Sequence, residues 1–456
     1  MSKRYAVLIL LGLGLLTHFS FFGHPNATVF DEVHFGKFVS GYYTHEYFFD
    51  IHPPLGKLAI AGFAKIFDFK PEFAFAEIGD KFPDKQYLIL RLLPNLTGSL
   101  LPLVIFLLLL EMGFSRIASF FGGLLIVLEN ALLAQSHYIL LDSFLLVFGF
   151  LALLFYFKYR NSKPLIPNTK YLVLFGIFSG LALSVKWTGL GFLALPLAIE
   201  TFDIFKEKNY KNIAKAIIIP GITAFVIYFV LFAGHLTLLN KSGPGDAFMS
   251  VSFQKTLTGN PHNNDTISTP NILQKFAQLN MEMYKANQRL NATHPYSSPW
   301  YSWPAMTRPI YYWVEGNSRI YLLGNPIIWW LSSIAVLLSI TYCLLRIYNS
   351  QFITRNSTIL FLLAGYAVNM LPFVGVHRVM FLYHYFIAYI FAIMMLVWLI
   401  DKYSSTSISA NKNSKIIFGV ILGISAVTFI YFAPLTYGLN LSPKEYEART
   451  WLESWK

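Results

Sequence analysis

Long apolar runs separated by short polar turns recur along the whole chain. They begin near Tyr5, Tyr87, Phe114, Tyr138, Tyr171, Gly189, Ile213, Pro326, Ile359, Val379 and Ile416. Each continues for about 16 to 25 residues, the length at which a helix crosses a hydrocarbon layer about 30 Å thick. The pattern predicts about eleven spanning helices. Their divisions are weakest around Glu129–Ser136 and Lys186–Gly189, where neighbouring runs nearly fuse. The first run, Tyr5 to Gly23, follows Lys3-Arg4, and no Ala-x-Ala-like site succeeds it. It therefore reads as a retained span rather than a cleaved leader.

The turns carry the orientation. Lys158, Arg160, Lys163 and Lys170 share one turn, and Lys206, Lys208, Lys211 and Lys215 another. Arg346 and Arg355, then Lys402, Lys412 and Lys415, fall on the same side, whereas the opposite short loops hold little more than Lys186 and Arg378. Basic loops stay in the cytoplasm, which predicts the N-terminus inside and the C-terminus outside. Two long segments then lie on the outer side, 24–86 and 235–325, and divide the chain into an N-terminal membrane module (1–234, taken as catalytic), an outer loop (235–325) and a C-terminal membrane module (326–456). Within the first segment Leu55, Leu58, Ala59, Phe63, Ile66 and Phe67 have helical spacing with Lys57 and Lys65 between them, as in a helix lying in the interface.

Composition makes the class secure. Of 456 residues 55% are hydrophobic and only 13% charged, against about 25% charged in soluble domains. The net charge of +12 would suggest nucleic acid in a soluble protein, but basic cytoplasmic turns explain much of it. The single cysteine, Cys343, lies in an apolar run and excludes an intrachain disulfide or a thiolate metal site. Walker, GxGxxG and HExxH motifs are absent, which leaves ATP-driven transport, dinucleotide chemistry and zinc proteolysis without support.

The candidate chemistry is polar and sits at the outer ends of the spans. The stretch Phe30-Asp31-Glu32-Val33-His34-Phe35-Gly36-Lys37, with Phe48-Phe49-Asp50-Ile51-His52-Pro53-Pro54-Leu55, mixes acids, histidines and aromatics as an interfacial cavity would. Two adjacent carboxylates can accept a proton or hold a hydroxyl. The predicted topology brings Arg91, Gln135, His137, Asp142, Lys186, His377, Arg378, Tyr383 and His384 into the same outer leaflet. Buried ionisable groups are expensive in a membrane, so their clustering favours one polar cavity. Its cations suit a lipid phosphate, and its carboxylates suit a hydroxyl or amide acceptor arriving from outside.

These residues carry a resemblance. The Asp31-Glu32 and His52-Pro53-Pro54 stretches resemble the first-loop signature of the protein O-mannosyltransferases. The likeness continues through Glu129-Asn130, Gln135-Ser136-His137-Tyr138 with Asp142, Ser184-Val185-Lys186-Trp187-Thr188-Gly189, Tyr321-Leu322-Leu323-Gly324-Asn325-Pro326, and Arg378 with Tyr383-His384-Tyr385. It implies an all-α polytopic membrane protein of the GT-C glycosyltransferase fold. The implied activity is inverting transfer of mannose from polyprenyl-phosphate mannose to Ser/Thr hydroxyls of extracytoplasmic proteins, in the cytoplasmic membrane with the active site facing outward. The resemblance gives Asp31 as the base and Glu32 as an acceptor-binding partner. Arg91, Lys186 and Arg378 fall to the donor phosphate, with His377, Tyr383 and His384 beside them. His34, Asp50, His52, Gln135, His137 and Asp142 are the acceptor or sugar candidates. With cations holding the phosphate no metal and no cofactor is required.

Two departures from the family pattern matter. Segment 235–325 leaves no room for the β-trefoil insertion of eukaryotic members, which points to a prokaryotic-type enzyme, and Glu129-Asn130 stands where some members have Asp-Asn. The alternatives are a GT-C transferase with a lipid or polysaccharide acceptor and a lipid-linked-sugar transporter. The transporter would need charges in the inner half of the membrane as well.

Overall fold

The computed structural model describes residues 2–162, 168–207, 210–289, 293–346, 357–376, 378–404 and 408–456. Its helices are α1 (Lys3–Phe19), α2 (Glu32–Thr44), α3 (Leu55–Lys65), α4 (Tyr87–Ser99), α5 (Leu101–Glu111), α6 (Arg116–Val127), α7 (Asn130–Ser136), α8 (Asp142–Arg160), α9 (Thr169–Val185), α10 (Leu190–Glu207) and α11 (Tyr210–Leu238). Then come α12 (Val251–Gln254), α13 (Ile272–Arg289), α14 (Pro326–Leu344), α15 (Ser357–Val368), α16 (Phe386–Ser404), α17 (Ile408–Tyr437) and α18 (Pro443–Glu447). Every apolar run of the sequence is helical. Among the described residues seven helices are long and apolar enough to span a membrane, or eight if the bent α6–α7 pair is one span; Thr169–Val185 and Trp187–Phe202 are apolar but shorter.

The helix ends follow local chemistry. Ser115 caps α6 by accepting from Ala118 N at 3.2 Å, and Asn325 caps α14, whose first residue is Pro326, by accepting from Ile327 N at 3.2 Å. The two weak divisions of the hydropathy pattern are genuine breaks. Glu129 is extended (φ −97°, ψ 108°) and its carboxylate caps α7 through Leu132 N at 2.8 Å, so α6 and α7 meet at 59°. Lys186 is likewise extended (φ −147°, ψ 146°) between α9 and the turn Trp187–Gly189. A side chain at Gly189 would approach the Ala182 backbone to 2.5 Å, so only glycine lets the chain turn back this tightly.

Helix α16 forms the centre, buried at every residue from Tyr385 to Trp398, and packs against α6, α14, α15 and α17. Outer helices instead show apolar side chains outward: Ile222, Phe225 and Val230 on α11, and Val420, Val427 and Ile430 on α17. These are the faces a lipid solvent would cover. Helix α3 forms over most of the stretch whose spacing predicted a helix, but it buries Leu55, Lys57, Ile60, Ala61 and Ala64, and Ile66 and Phe67 of the expected apolar face lie beyond its end and exposed. The outer loop adds one departure from an all-helical chain, an antiparallel hairpin of β1 (Ile310–Glu315) and β2 (Ser318–Leu322). Its register slips between Tyr311 and Trp313, leaving Tyr312 as the extra residue of a bulge.

Candidate active site

The acidic pair at the start of α2 divides into two environments. Glu32 is fully buried and clamped by Arg91, whose Nε and Nη2 each donate to one carboxylate oxygen at 2.7 Å. The remaining Arg91 donors reach the carbonyls of Pro25 (2.6 Å), Ala27 (2.8 Å) and Gly23 (3.3 Å), and the guanidinium lies against Tyr87, Tyr138 and Phe82. Glu32 also accepts from Val29 N at 2.8 Å and Ile139 N at 2.9 Å. Each charge thus has its full complement of partners, as a dry ion pair requires.

Asp31 is not part of that clamp. Among the described residues no donor occupies its carboxylate, and the residue is only partly exposed. Burial pushes it up to about 7, against the lowering effect of Lys186 and with smaller raising contributions from Asp142 and Asp50.

Beside it opens a cavity of about 550 Å³, lined by His52, Asp142, Lys186, Arg378, Tyr383 and His384 together with Tyr284 and Asn287 of α13. Lys186 Nζ donates to both Asp142 oxygens at 2.8 and 2.9 Å and sits 4.9 Å from the centre of the Tyr383 ring. Arg378 lines the same cavity, and among the described residues no carboxylate pairs with it. His384 stacks on Tyr383 at 4.6 Å, with Nδ1 engaged by the Phe381 backbone. Burial, then the charge of Lys186, holds His52 well below the ordinary imidazole range, so this wall presents a neutral ring. The arrangement can bind an anion through two fixed cations and offer a base to a hydroxyl beside it.

The predicted residues therefore separate. Lys186, Arg378, Tyr383, His384, His52 and Asp142 meet at the cavity. Arg91 does not, because all its donors are spent on Glu32 and the loop carbonyls, and Glu32 in turn has no free oxygen for an acceptor. Asp50 is the partner of buried Lys57, which also donates to His52 O at 2.9 Å. Gln135 stands behind Asp142, donating to it at 2.6 Å. His137 packs against His18 and Tyr437 in the helix interior, away from the cavity. His34 lies exposed on α2, and His377 falls outside the described residues. The cavity walls also draw on all three segments of the chain, so 1–234 alone does not complete the site. Tyr284, Asn287 and Tyr312 were not singled out in the sequence; alternation in Tyr311-Tyr312-Trp313 hides a bulge, and nothing in the polar face of α13 separates a cavity wall from a wetted helix.

This architecture is the GT-C fold of a multi-pass membrane protein. A family profile described as dolichyl-phosphate-mannose-protein mannosyltransferase matches residues 8–240, and one for the C-terminal four-helix membrane region of protein-O-mannosyltransferase matches residues 272–455. The chain belongs to the protein O-mannosyltransferase family. Dolichyl-phosphate-mannose–protein mannosyltransferase 1 of Candida albicans is 38% identical over 52% of this chain and 28% of its own length. Protein O-mannosyl-transferase 1 of Mus musculus is 34% identical over 55% and 36%. The chain thus matches about a third of the length of these curated relatives. The Saccharomyces cerevisiae Pmt1–Pmt2 complex bound to its sugar donor has a chain that superposes with a TM-score of 0.91 at 21% identity, covering 100% of this chain and 93% of that one. An oligosaccharyltransferase of Archaeoglobus fulgidus matches at 0.58 and 14% identity, over 98% and 57%. These likenesses to solved structures concern the fold.

Proposed function

We propose that this protein transfers mannose from polyprenyl-phosphate mannose to Ser or Thr hydroxyls of secreted or membrane proteins, in the cytoplasmic membrane with its cavity facing outward. The observation that carries this reading is a cavity with two cations in its wall and, beside it, a carboxylate, Asp31, that has no partner among the described residues. The relatives' names, which specify a dolichyl-phosphate-mannose donor and a protein acceptor, give the chemistry its identity. The basic turns favour an inward N-terminus, and eleven crossings follow if the bent α6–α7 pair, the two shorter apolar helices and α1 are all counted as spans.

In this mechanism the acceptor hydroxyl donates its hydrogen bond to Asp31. The carboxylate takes the proton as the oxygen attacks the anomeric carbon, the sugar–phosphate bond breaks, and the configuration inverts. Negative charge gathers on the departing lipid phosphate. Arg378, with no carboxylate partner among the described residues, binds that charge directly; Lys186 shares itself between the phosphate and Asp142. Tyr383 stands with Lys186 on the phosphate side, and His52 lines the sugar side.

The test is purified protein in lipid nanodiscs with labelled polyprenyl-phosphate mannose and a Ser/Thr-rich peptide. Label should enter the peptide and be released by β-elimination. Label entering only a lipid or glycan acceptor would replace the protein acceptor in this reading. Movement of intact donor across vesicles without sugar transfer would overturn it in favour of a transporter.

A further inference from the structure

We infer that Tyr312 is a positioning residue that holds the base and the donor-side cation in one register. The inference rests on the functional reading above and names a group that reading does not use. Tyr312 is the extra residue of the β1 bulge, and both it and its neighbour Trp313 are buried. Bulges re-aim a side chain that strict alternation would send elsewhere. This one faces inward and makes contacts in two directions.

Toward the base, Tyr312 O accepts from Phe30 N at 3.2 Å, and the two rings stack at 4.3 Å and 10°. Phe30 immediately precedes Asp31 and has φ +43°, a left-handed conformation that a bulky aromatic residue adopts only when its surroundings enforce it. Tyr312 supplies the backbone partner and the nearest of the rings around Phe30, with His294, Phe381 and Tyr383 edge-on at 6.1–6.5 Å, so the direction in which the chain presents Asp31 depends in part on Tyr312.

Toward the donor side, the Tyr312 hydroxyl donates to Gln135 Oε1. Gln135 Nε2 donates to Asp142 Oδ2 at 2.6 Å, and Asp142 holds Lys186 at 2.8 and 2.9 Å. The hydroxyl selects the orientation of the Gln135 amide: with the carbonyl turned to Tyr312, only the NH₂ can face the carboxylate. A flipped amide would set its oxygen against Asp142. Every member of this relay is buried, so no solvent stands ready to replace a lost partner. A residue of the outer loop thereby joins the Asp31 loop to the lysine of the α9 break.

Two substitutions separate the two contacts. Tyr312→Phe keeps the ring on Phe30 and removes the donor to Gln135. The KM for polyprenyl-phosphate mannose should rise about three- to tenfold, the size of one lost neutral hydrogen bond, while the KM for peptide stays unchanged. Phe30→Leu removes the stack and should lower kcat with less effect on donor KM. Combining Tyr312→Phe with Gln135→Leu should weaken donor affinity no more than the stronger single change, because both break one relay. Wild-type donor KM in Tyr312→Phe would overturn the inference. So would equal changes in both KM values that follow a loss of thermal stability, the mark of a residue that only packs. If wild-type protein binds donor lipid but transfers no sugar, the functional reading fails by itself. Displacement of labelled donor lipid from Tyr312→Phe then still decides this inference: weaker binding supports it and equal binding refutes it.

Discussion

Two ion pairs, Glu32–Arg91 and Asp142–Lys186, are built to opposite specifications. Glu32–Arg91 is sealed, with both side chains 0% exposed and every oxygen and donor accounted for. Asp142–Lys186 stands in the wall of a cavity, beside an arginine with no carboxylate partner among the described residues. The same residue types do different work because one pair has used its hydrogen-bonding capacity and the other has kept some. A closed pair fixes where the chain runs; an open pair can exchange a partner for a ligand. Asp31 sits one residue from the closed pair and within electrostatic reach of the open one, so a rigid anchor sets the position of a group that titrates.

The contrast can be broken in order of expected effect. Asp31→Asn keeps the size of the side chain but cannot take a proton, and should lower mannose transfer by about 10²–10⁴-fold. Donor-lipid binding on the same preparation should stay near wild type; an unaltered transfer rate would remove Asp31 as the base.

Arg91→Ala leaves Glu32 buried without its cation and should destabilise the fold by about 3–5 kcal/mol, measured as a fall in melting temperature or in recovered folded protein. If the variant folded normally and merely bound donor less well, the sealed pair would belong to the ligand after all.

Arg378→Ala should do the reverse. Losing one charge-assisted contact weakens donor binding by about 1.5–3 kcal/mol while leaving the melting temperature close to wild type. Equal donor affinity in this variant would show that Lys186 alone serves the phosphate.

The pH dependence is a smaller effect with a fixed sign. Burial pushes Asp31 up to about 7, and a base must be ionised, so transfer should fall about tenfold per pH unit below that value. Because the folded protein keeps this proton to higher pH than the unfolded chain, which releases it near pH 4, the contribution of Asp31 to stability declines as pH rises from about 4 to 7. A rate independent of pH between 5 and 8 would contradict the assignment. Smallest of all, His34→Ala on the exposed face of α2 should change stability by no more than about 0.5 kcal/mol and leave transfer rates alike.

Much of this protein is written in its hydropathy. Apolar runs of spanning length dictate helices because an unpaired backbone cannot stay in hydrocarbon, and of the polar residues at their ends Asp142, Lys186, Arg378, Tyr383 and His384 meet at one cavity while Arg91, Gln135 and His137 do not. Even the blurred divisions at Glu129 and Lys186 were informative, since a polar residue interrupting an apolar run is where each helix breaks. The family signatures picked out Asp31, Lys186 and Arg378 in the same way, as residue types at recognisable positions. Which cation would be consumed and which left open was decided only by the fold. Arg91 and Lys186 look alike in sequence, two basic residues near span ends, but Arg91 meets three loop carbonyls and both oxygens of Glu32, whereas Lys186 meets one carboxylate at the edge of a void. The bulge at Tyr312 was equally hidden, because a register slip depends on the partner strand rather than on the residues that slip. Hydrogen-bonding capacity is a property of the residue, but whether it is already satisfied depends on neighbours that only the folded chain brings together.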